Sequence, residues 1–332
     1  NMTRNIIAGI AAGLASLVML MSAMTGTPLM QFLLFLATPM PVFLVGLSLG
    51  WTSAAIAALT GALAFAALTG PLVALLAAGT QFGPAVLLTY LAMLNRPVLT
   101  PDGKTVIEWY PVGRLILWCA AIGTILSIVL LMLLGKNNAE AQQMFRTLIE
   151  QMLAQQSGGE KVPEEHIDAM TTIFMALLPV GSGIFLTAIV AIQFWLASYV
   201  ASASGNLQRP WPAISAMTFP SVAPLLLVAS VVLSMILSDY PGMAASAASG
   251  AFYFAYIVLG LAVIHYVTRS NPWRFALLWA VYFGLIIFST GFSMVVALIG
   301  LTERFSPLRR DFMRPPPRAG PPPTSSGPPA PD

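Results

Sequence analysis

Nine apolar stretches follow one another along almost the whole chain, at 6–24, 29–49, 51–69, 71–94, 111–134, 167–202, 213–237, 241–267 and 272–301. Each comes near or exceeds the ~20 residues that a helix needs to cross a bilayer. In lipid every backbone N–H and C=O must be satisfied internally, so runs of this kind become helices. They leave too little charge to clothe a water-soluble globule. Only 8% of the 332 residues are Asp, Glu, Lys or Arg, against about 25% in an ordinary soluble domain. A soluble enzyme, a nucleic-acid binder and a disordered protein are excluded. The chain reads as an all-α, polytopic membrane protein whose first partner is the lipid bilayer.

The stretch 6–24 has Arg4 ahead of it and Ser22-Ala23 behind it, as a signal peptide would. Its apolar core exceeds the 7–15 residues of a signal, so it reads as an uncleaved first span. Lys and Arg are retained on the cytoplasmic side. With the N-terminus inside, Arg96, Lys104 and Arg114 flank an inner loop, and Arg209, Arg269 and Arg274 follow in further inner loops. The acidic connection 135–166 is then external, and its apolar positions Met144, Phe145, Leu148, Ile149 and Met152 repeat at helical spacing, which makes 139–156 an amphipathic extramembrane helix.

Nine full spans would strand Arg304, Arg309, Arg310, Arg314 and Arg318 outside. If 272–301 instead turns back near Ser289-Thr290-Gly291, these arginines return inside, and each leg has only ~13–15 residues, too few for a crossing. The expectation is eight full spans plus a last broken or re-entrant segment, with nine spans as the alternative. The transmembrane domain covers 1–302, and 303–332 is a proline- and arginine-rich, disordered cytoplasmic tail. Both termini are then cytoplasmic.

Ionisable residues inside a span are costly and so point to function. Here the spans hold almost none. Arg114 opens the fifth segment, Asp239 sits in a short outer turn, and His265 lies near the inner end of the eighth. A proton pump, a proton-driven exchanger and a voltage sensor find no support. One cysteine, Cys119, and two distant histidines, His166 and His265, offer no metal site. No cofactor motif is present. A nucleophile needs a base within hydrogen-bond reach, and Gly181-Ser182-Gly183 with His265 is the nearest approach to one. Small residues after Pro179 are better explained by close helix packing, so an enzyme is not expected.

What the spans do carry is chemistry for packing and breaking helices. Gly9-x-x-x-Gly13, Gly46-x-x-x-Gly50 and Gly79-x-x-x-Gly83 place small residues four apart, a flat face for another helix. Most such faces pack internally. On the first segment, where small residues cover more than one face, Ala8, Gly9, Ala12 and Gly13 are candidates for docking a separate subunit. Pro39, Pro41, Pro84, Pro179, Pro220 and Pro224 interrupt the segments, each removing an N–H and freeing a carbonyl four residues back. Broken helices are where transporters hold their ligands. Thr80 and Gln81 precede the Gly83-Pro84 break, Gln31 opens the second segment, Gln193 lies within the sixth, and Trp118 and Trp195 supply aromatic walls. These six are the candidate ligand residues for a small neutral or weakly charged solute. The alternative is that the interior glutamines only bond a neighbouring helix.

Pro39-Met40-Pro41 followed by Gly50, the amphipathic helix after the fifth segment, Phe219-Pro220, and Phe305-Ser306-Pro307-Leu308-Arg309-Arg310 carry a resemblance. The chain, to about residue 312, resembles the YybS-like family of bacterial membrane proteins, grouped with the substrate-binding S components of energy-coupling-factor (ECF) transporters. The resemblance implies a place in a bacterial inner membrane, an S-component-like bundle in the first six segments, capture of a small solute, and an ECF-type coupling subunit with ATPases working in trans. In S components small residues of the first helix dock the coupling subunit, and Ala8, Gly9, Ala12 and Gly13 are similar in kind. S components have fewer spans, so the last three segments would be an addition. A non-transporting scaffold that assembles envelope proteins is the alternative function. Lipid or isoprenoid handling is a third, and it predicts an apolar groove open sideways to the bilayer.

Overall fold

The computed structural model describes residues 2–135, 138–156, 162–306 and 308–309; the tail from 310 onward lies outside the described residues. In chain order the elements are α1 (Met2–Ser22), α2 (Pro28–Ala37), α3 (Met40–Leu49), α4 (Trp51–Thr69), α5 (Pro71–Ala77), a π turn (Ala78–Phe82) and α6 (Gly83–Met93). There follow strands β1 (Asn95–Leu99) and β2 (Thr105–Trp109), then α7 (Val112–Leu134), α8 (Asn138–Gln156) and α9 (Glu164–Ala203). A 3₁₀ turn (Ile214–Ala216), α10 (Ala223–Ile236), α11 (Asp239–Val267), α12 (Arg274–Ile287) and α13 (Ser289–Thr302) complete the chain. With α2–α3 and α5–α6 each taken as one bent rod, seven helices among the described residues are long and apolar enough to cross a membrane.

Proline and glycine explain where the rods bend. Thr27 caps α2 by accepting from the Met30 N–H, with Pro28 opening the helix. Pro39 and Pro41 lack the N–H groups that would carry α2 straight into α3. Gly50 and Gly70, at φ +107° and +99°, occupy backbone conformations that a side chain disfavours, and they let α4 follow α3 and α5 follow α4 with one residue between. Pro179 behaves differently: α9 runs through it for 40 residues without a break.

The seventh and ninth apolar segments are irregular. In 213–237 only Ala223–Ile236 is α-helical, 14 residues or about 21 Å, because Pro210, Pro212 and Pro220 keep the preceding chain, apart from its 3₁₀ turn, out of a regular helix. In 272–301 the helix breaks at Phe288. Beyond the break α13 lies alongside α11 and parallel to it: Gly300 packs on Gly260, and the Tyr253 and Ser293 hydroxyls meet at 2.7 Å. The chain therefore leaves α11 at its C-terminal end and returns there, where the Arg309 guanidinium lies 5.8 Å from the Tyr266 ring. Between α6 and α7, where apolar runs indicate only a loop, β1 and β2 form an antiparallel hairpin that pairs Asn95 with Trp109 and Leu99 with Thr105.

Two cores share α7. Leu115, Cys119 and Ile122 face the first, with Phe43, Ala54, Phe82 and Leu88. Leu117 and Ala120 face the second, with Ala251, Ala255, Tyr256, Leu259 and Ala297. Small residues allow the closest approaches between rods. A Cβ on Gly183 would overlap the Ala247 carbonyl, one on Gly250 that of Val180, and one on Gly260 that of Val296.

Over the end of the bundle where α7 finishes and α9 begins lies α8. It buries Ala141, Phe145 and Ile149, with the Phe145 ring 5.1 Å from Phe174 of α9. Arg146 pairs with Glu150 and Asp168. The hydrogen bond it donates to Glu150, followed by the charge of Asp168, raises its pKa above the ordinary arginine value. The ion pairs are exposed and add little, so the ring contact should govern attachment. Phe145→Ala is expected to speed protease cleavage within 138–156 several-fold while leaving the bundle intact, as limited proteolysis followed by mass spectrometry would read. An unchanged cleavage rate would assign the attachment elsewhere.

Candidate functional site

The missing N–H of Pro84 is accommodated one turn earlier, where Ala78–Phe82 widens into a π turn and the Gly83 N–H reaches back five residues to Ala78 O. π turns swing side chains out of the regular helical register and recur at functional sites. Here the turn places Gln81 on the inside of the bundle. Gln81 is 5% exposed, and its Oε1 is buried without a hydrogen-bond partner. An amide oxygen left so costs about 1–3 kcal/mol, which needs a compensating purpose.

Gln81 and Thr80 line a cavity of about 360 Å³. Its walls come from the ends of several rods: Leu20 of α1, Phe35 of α2, Phe65 of α4, Val73 of α5 and Leu133 of α7. The Thr80 hydroxyl donates to Leu76 O at 2.7 Å, so its oxygen still has acceptor capacity. Among the described residues no charged side chain lines the cavity. It can hold a small, largely apolar molecule, whose hydrogen-bond donor would meet Gln81 Oε1 once the covered amide turns toward the cavity.

The other ligand candidates are distributed elsewhere. Gln31 is half-buried in α2, one turn before Phe35. Gln193 is buried, and its Nε2 donates to Leu36 O at 3.0 Å, satisfying a carbonyl at the α2–α3 break. Trp118 is exposed and donates from Nε1 to the Tyr110 hydroxyl at 3.1 Å. Trp195 stacks on Tyr199 with ring centroids 5.7 Å apart and lines a separate apolar cavity of about 240 Å³ with Trp211 and Phe254. Gln193, Trp118 and Trp195 are not among the residues of the Gln81 cavity.

Ala8, Gly9, Ala12 and Gly13 of α1 face inward. Gly9 lies against Ser53 and Ile56, Gly13 against Ala57 and Thr60, and Ala8 and Ala12 pack on the first core. The outward face of α1 carries Ile7, Ile10, Leu14 and Val18, with the small Ala11 and Ala15 among them. Ser182 and His265 are engaged separately: the Ser182 hydroxyl donates to Pro179 O at 2.9 Å, and His265 Nε2 meets the Tyr282 hydroxyl at 2.9 Å.

Sequence reasoning missed the apolar walls of the cavity, because Phe35, Phe65 and Leu133 look like any lipid-facing residue of their segments. It also missed the burial of Arg209, which is 8% exposed in the chain after α9. Its Nη1 and Nη2 donate to Ala92 O and Tyr110 O at 3.2 and 3.3 Å, and burial lowers its pKa from the ordinary arginine value. A lone arginine between Gln208 and Pro210, just beyond a span, was the available signal. Comparison with curated proteins and with solved structures finds no match. The chain belongs to the family described as Predicted membrane protein (DUF2232), whose model matches residues 14–303.

Proposed function

We propose that this membrane protein is the substrate-capture subunit of an uptake system for a small, mostly apolar solute, bound in the Gln81 cavity. The observation that carries the reading is the buried, unpartnered Gln81 Oε1 on a π turn, lining a cavity of about 360 Å³ within the size range of small-molecule pockets. The first core draws its buried residues from the second to the sixth apolar segments, with Ala8 and Ala12 of the first packed against it, the grouping that an S-component-like bundle requires. Energy coupling comes in trans, from a coupling subunit and ATPases, because the sequence holds no nucleotide-binding motif.

Charge supports capture from the outer side in an inner membrane. Of the described basic residues, Arg4, Arg96, Lys104, Arg114, Arg209, Arg269, Arg274, Arg304 and Arg309 gather at the end of the bundle where α1 begins. That end is tied together by bonds such as Asn5 Nδ2 to Leu49 O and Arg209 to Ala92 O. Only Arg146, on α8, lies at the other. With the basic end cytoplasmic, both termini are cytoplasmic, the returning α12–α13 segment is re-entrant, and the Gln81 cavity occupies the outer half.

A second reading rests on a different cavity. A groove of about 740 Å³ lies between α4 and α6, lined by Trp51, Leu59, Ala62, Phe82, Val86 and Tyr90. It is apolar and open sideways, a shape suited to a lipid or isoprenoid chain.

One experiment separates the two. The full chain is purified in mild detergent, and retained small molecules and co-purifying proteins are identified by mass spectrometry. A small, mostly apolar metabolite carrying a hydrogen-bond donor, present in wild type and absent from Gln81→Leu, with ATPase subunits alongside, is the expected result. Gln81→Leu removes the unpaired oxygen and should itself be neutral or stabilising by about 1–3 kcal/mol, so loss of the metabolite would not reflect unfolding. A retained isoprenoid or lipid unaffected by Gln81→Leu would favour the groove. Envelope proteins with no small molecule would overturn both in favour of a scaffold.

A further inference from the structure

The basic end of the bundle holds a second built cavity, of about 300 Å³, between the extended chain before α10 and the ends of α11 and α13. Its polar wall is made by Thr218, Tyr256, Tyr266, Glu303, Arg304 and Arg309. Arg309 is 2% exposed. Its Nε donates to Glu303 Oε1 at 2.7 Å and its Nη1 to Ser215 O at 2.9 Å, while Nη2 is buried with no partner. Glu303 is also held by the Leu308 N–H at 3.0 Å. A buried guanidinium that keeps a free donor is under-satisfied, and an anion is the group that satisfies it.

The charge balance agrees. Glu303 compensates one arginine, and Arg304, exposed at the rim, makes no ion pair among the described residues. The Tyr256 hydroxyl likewise makes no hydrogen bond among the described residues. The remaining wall is apolar, from Phe219, Pro220, Pro224 and Leu259. One side of the cavity thus suits a doubly hydrogen-bonded anion, and the other the first carbons of a chain. Basic pockets between transmembrane helices at the cytoplasmic side recognise the phosphates of anionic lipids.

We infer that this cavity binds a phosphoryl group, carried by the headgroup of an anionic phospholipid, through Arg304 at the rim and the Arg309 guanidinium, whose covered Nη2 turns to the cavity on binding. The site is distinct from the Gln81 cavity and does not depend on what that cavity holds. A phosphate seated here joins α13 to the extended chain before α10, so occupancy braces the least regular part of the fold.

The test uses the full chain in detergent micelles, with melting followed against added tetraoleoyl cardiolipin, dioleoyl phosphatidylcholine or inorganic phosphate. Wild type should be stabilised saturably by cardiolipin and not by phosphatidylcholine. Arg304→Gln should require about tenfold more cardiolipin, the loss of one charge-assisted contact. Arg274→Gln, an exposed cation at the same end but outside the cavity, should behave as wild type. Stabilisation by inorganic phosphate alone, with the same loss in Arg304→Gln, would keep the site and assign it to a soluble phosphate. Equal responses of Arg304→Gln and Arg274→Gln, or equal stabilisation by both lipids, would overturn the proposal. Arg309→Lys, which keeps the charge but not the planar fork, should weaken cardiolipin further. If that variant fails to fold, Arg304→Gln decides alone.

Discussion

Gly260→Leu is expected to destroy the packing of α13 on α11. A Cβ at this position would overlap the Val296 carbonyl oxygen, and Gly300 meets Gly260 from the opposite side, with Tyr256 O 2.5 Å from where its own Cβ would lie. Neither obstacle is a flexible side-chain end, so the helices must separate. Apolar side chains gain little by moving from lipid to protein, and transmembrane helices associate chiefly by close contact and interhelical hydrogen bonds. Separation forfeits the contact and strains the Tyr253–Ser293 hydrogen bond of 2.7 Å. Overpacking a soluble core usually costs 1–3 kcal/mol, and a branched side chain driven into backbone should exceed about 3 kcal/mol. Fluorescence-detected size-exclusion chromatography after heating would report this as loss of the monodisperse peak. Gly181→Leu is the control, since nothing lies within 4 Å of a Cβ there, and it should change stability by less than about 0.5 kcal/mol. A Gly260→Leu protein as stable as wild type would mean that α13 does not pack where we describe it.

Arg209→Ala should loosen the basic end of the bundle. The guanidinium spans two carbonyls, Ala92 O at the end of α6 and Tyr110 O beyond β2, and lies 6.0 Å from the Trp109 ring. It therefore ties both ends of the β-hairpin to the chain after α9. Truncation removes two charge-assisted bonds and leaves two carbonyls to find water, a cost of about 3 kcal/mol. The consequence is local: trypsin should cut after Lys104, in the turn of the hairpin, much faster in Arg209→Ala than in wild type. Arg209→Lys should recover only part of the protection, because an ammonium cannot serve both carbonyls with the same planar fork. Equal trypsin sensitivity in all three proteins would remove Arg209 from this role.

These predictions rest on features that the sequence exposes unevenly. Positions of the rods were legible, because a run of apolar residues long enough to cross lipid has few other ways to satisfy its backbone. α4, α7 and α9 begin and end within a few residues of their apolar segments. Breaks at Pro39 and Pro84 were legible because proline removes a donor wherever it falls. Pro179 shows the limit of that rule: the same residue sits inside an unbroken helix when the helix around it is held by packing on both sides. The hairpin β1–β2 and the extended chain before α10 carry no spanning pattern, and hydropathy was silent about them.

The candidate site was half legible. Thr80 and Gln81 were marked by the Gly83-Pro84 break beside them, and they share a cavity. Gln31, Gln193, Trp118 and Trp195 had the same polar or aromatic character but fall at other places in the bundle. Hydropathy by itself fixed the depth of each segment, the positions of its breaks and the asymmetry of charge between the two ends. Tertiary structure alone decided the direction each side chain faces. It turned Gly9 and Gly13 toward α4, gave Gln193 a carbonyl while leaving Gln81 without a partner, and buried Arg209 and Arg309. The reason is physical: lipid and protein interior are almost equally apolar, so composition tells a residue's depth in the membrane and not which neighbour it meets.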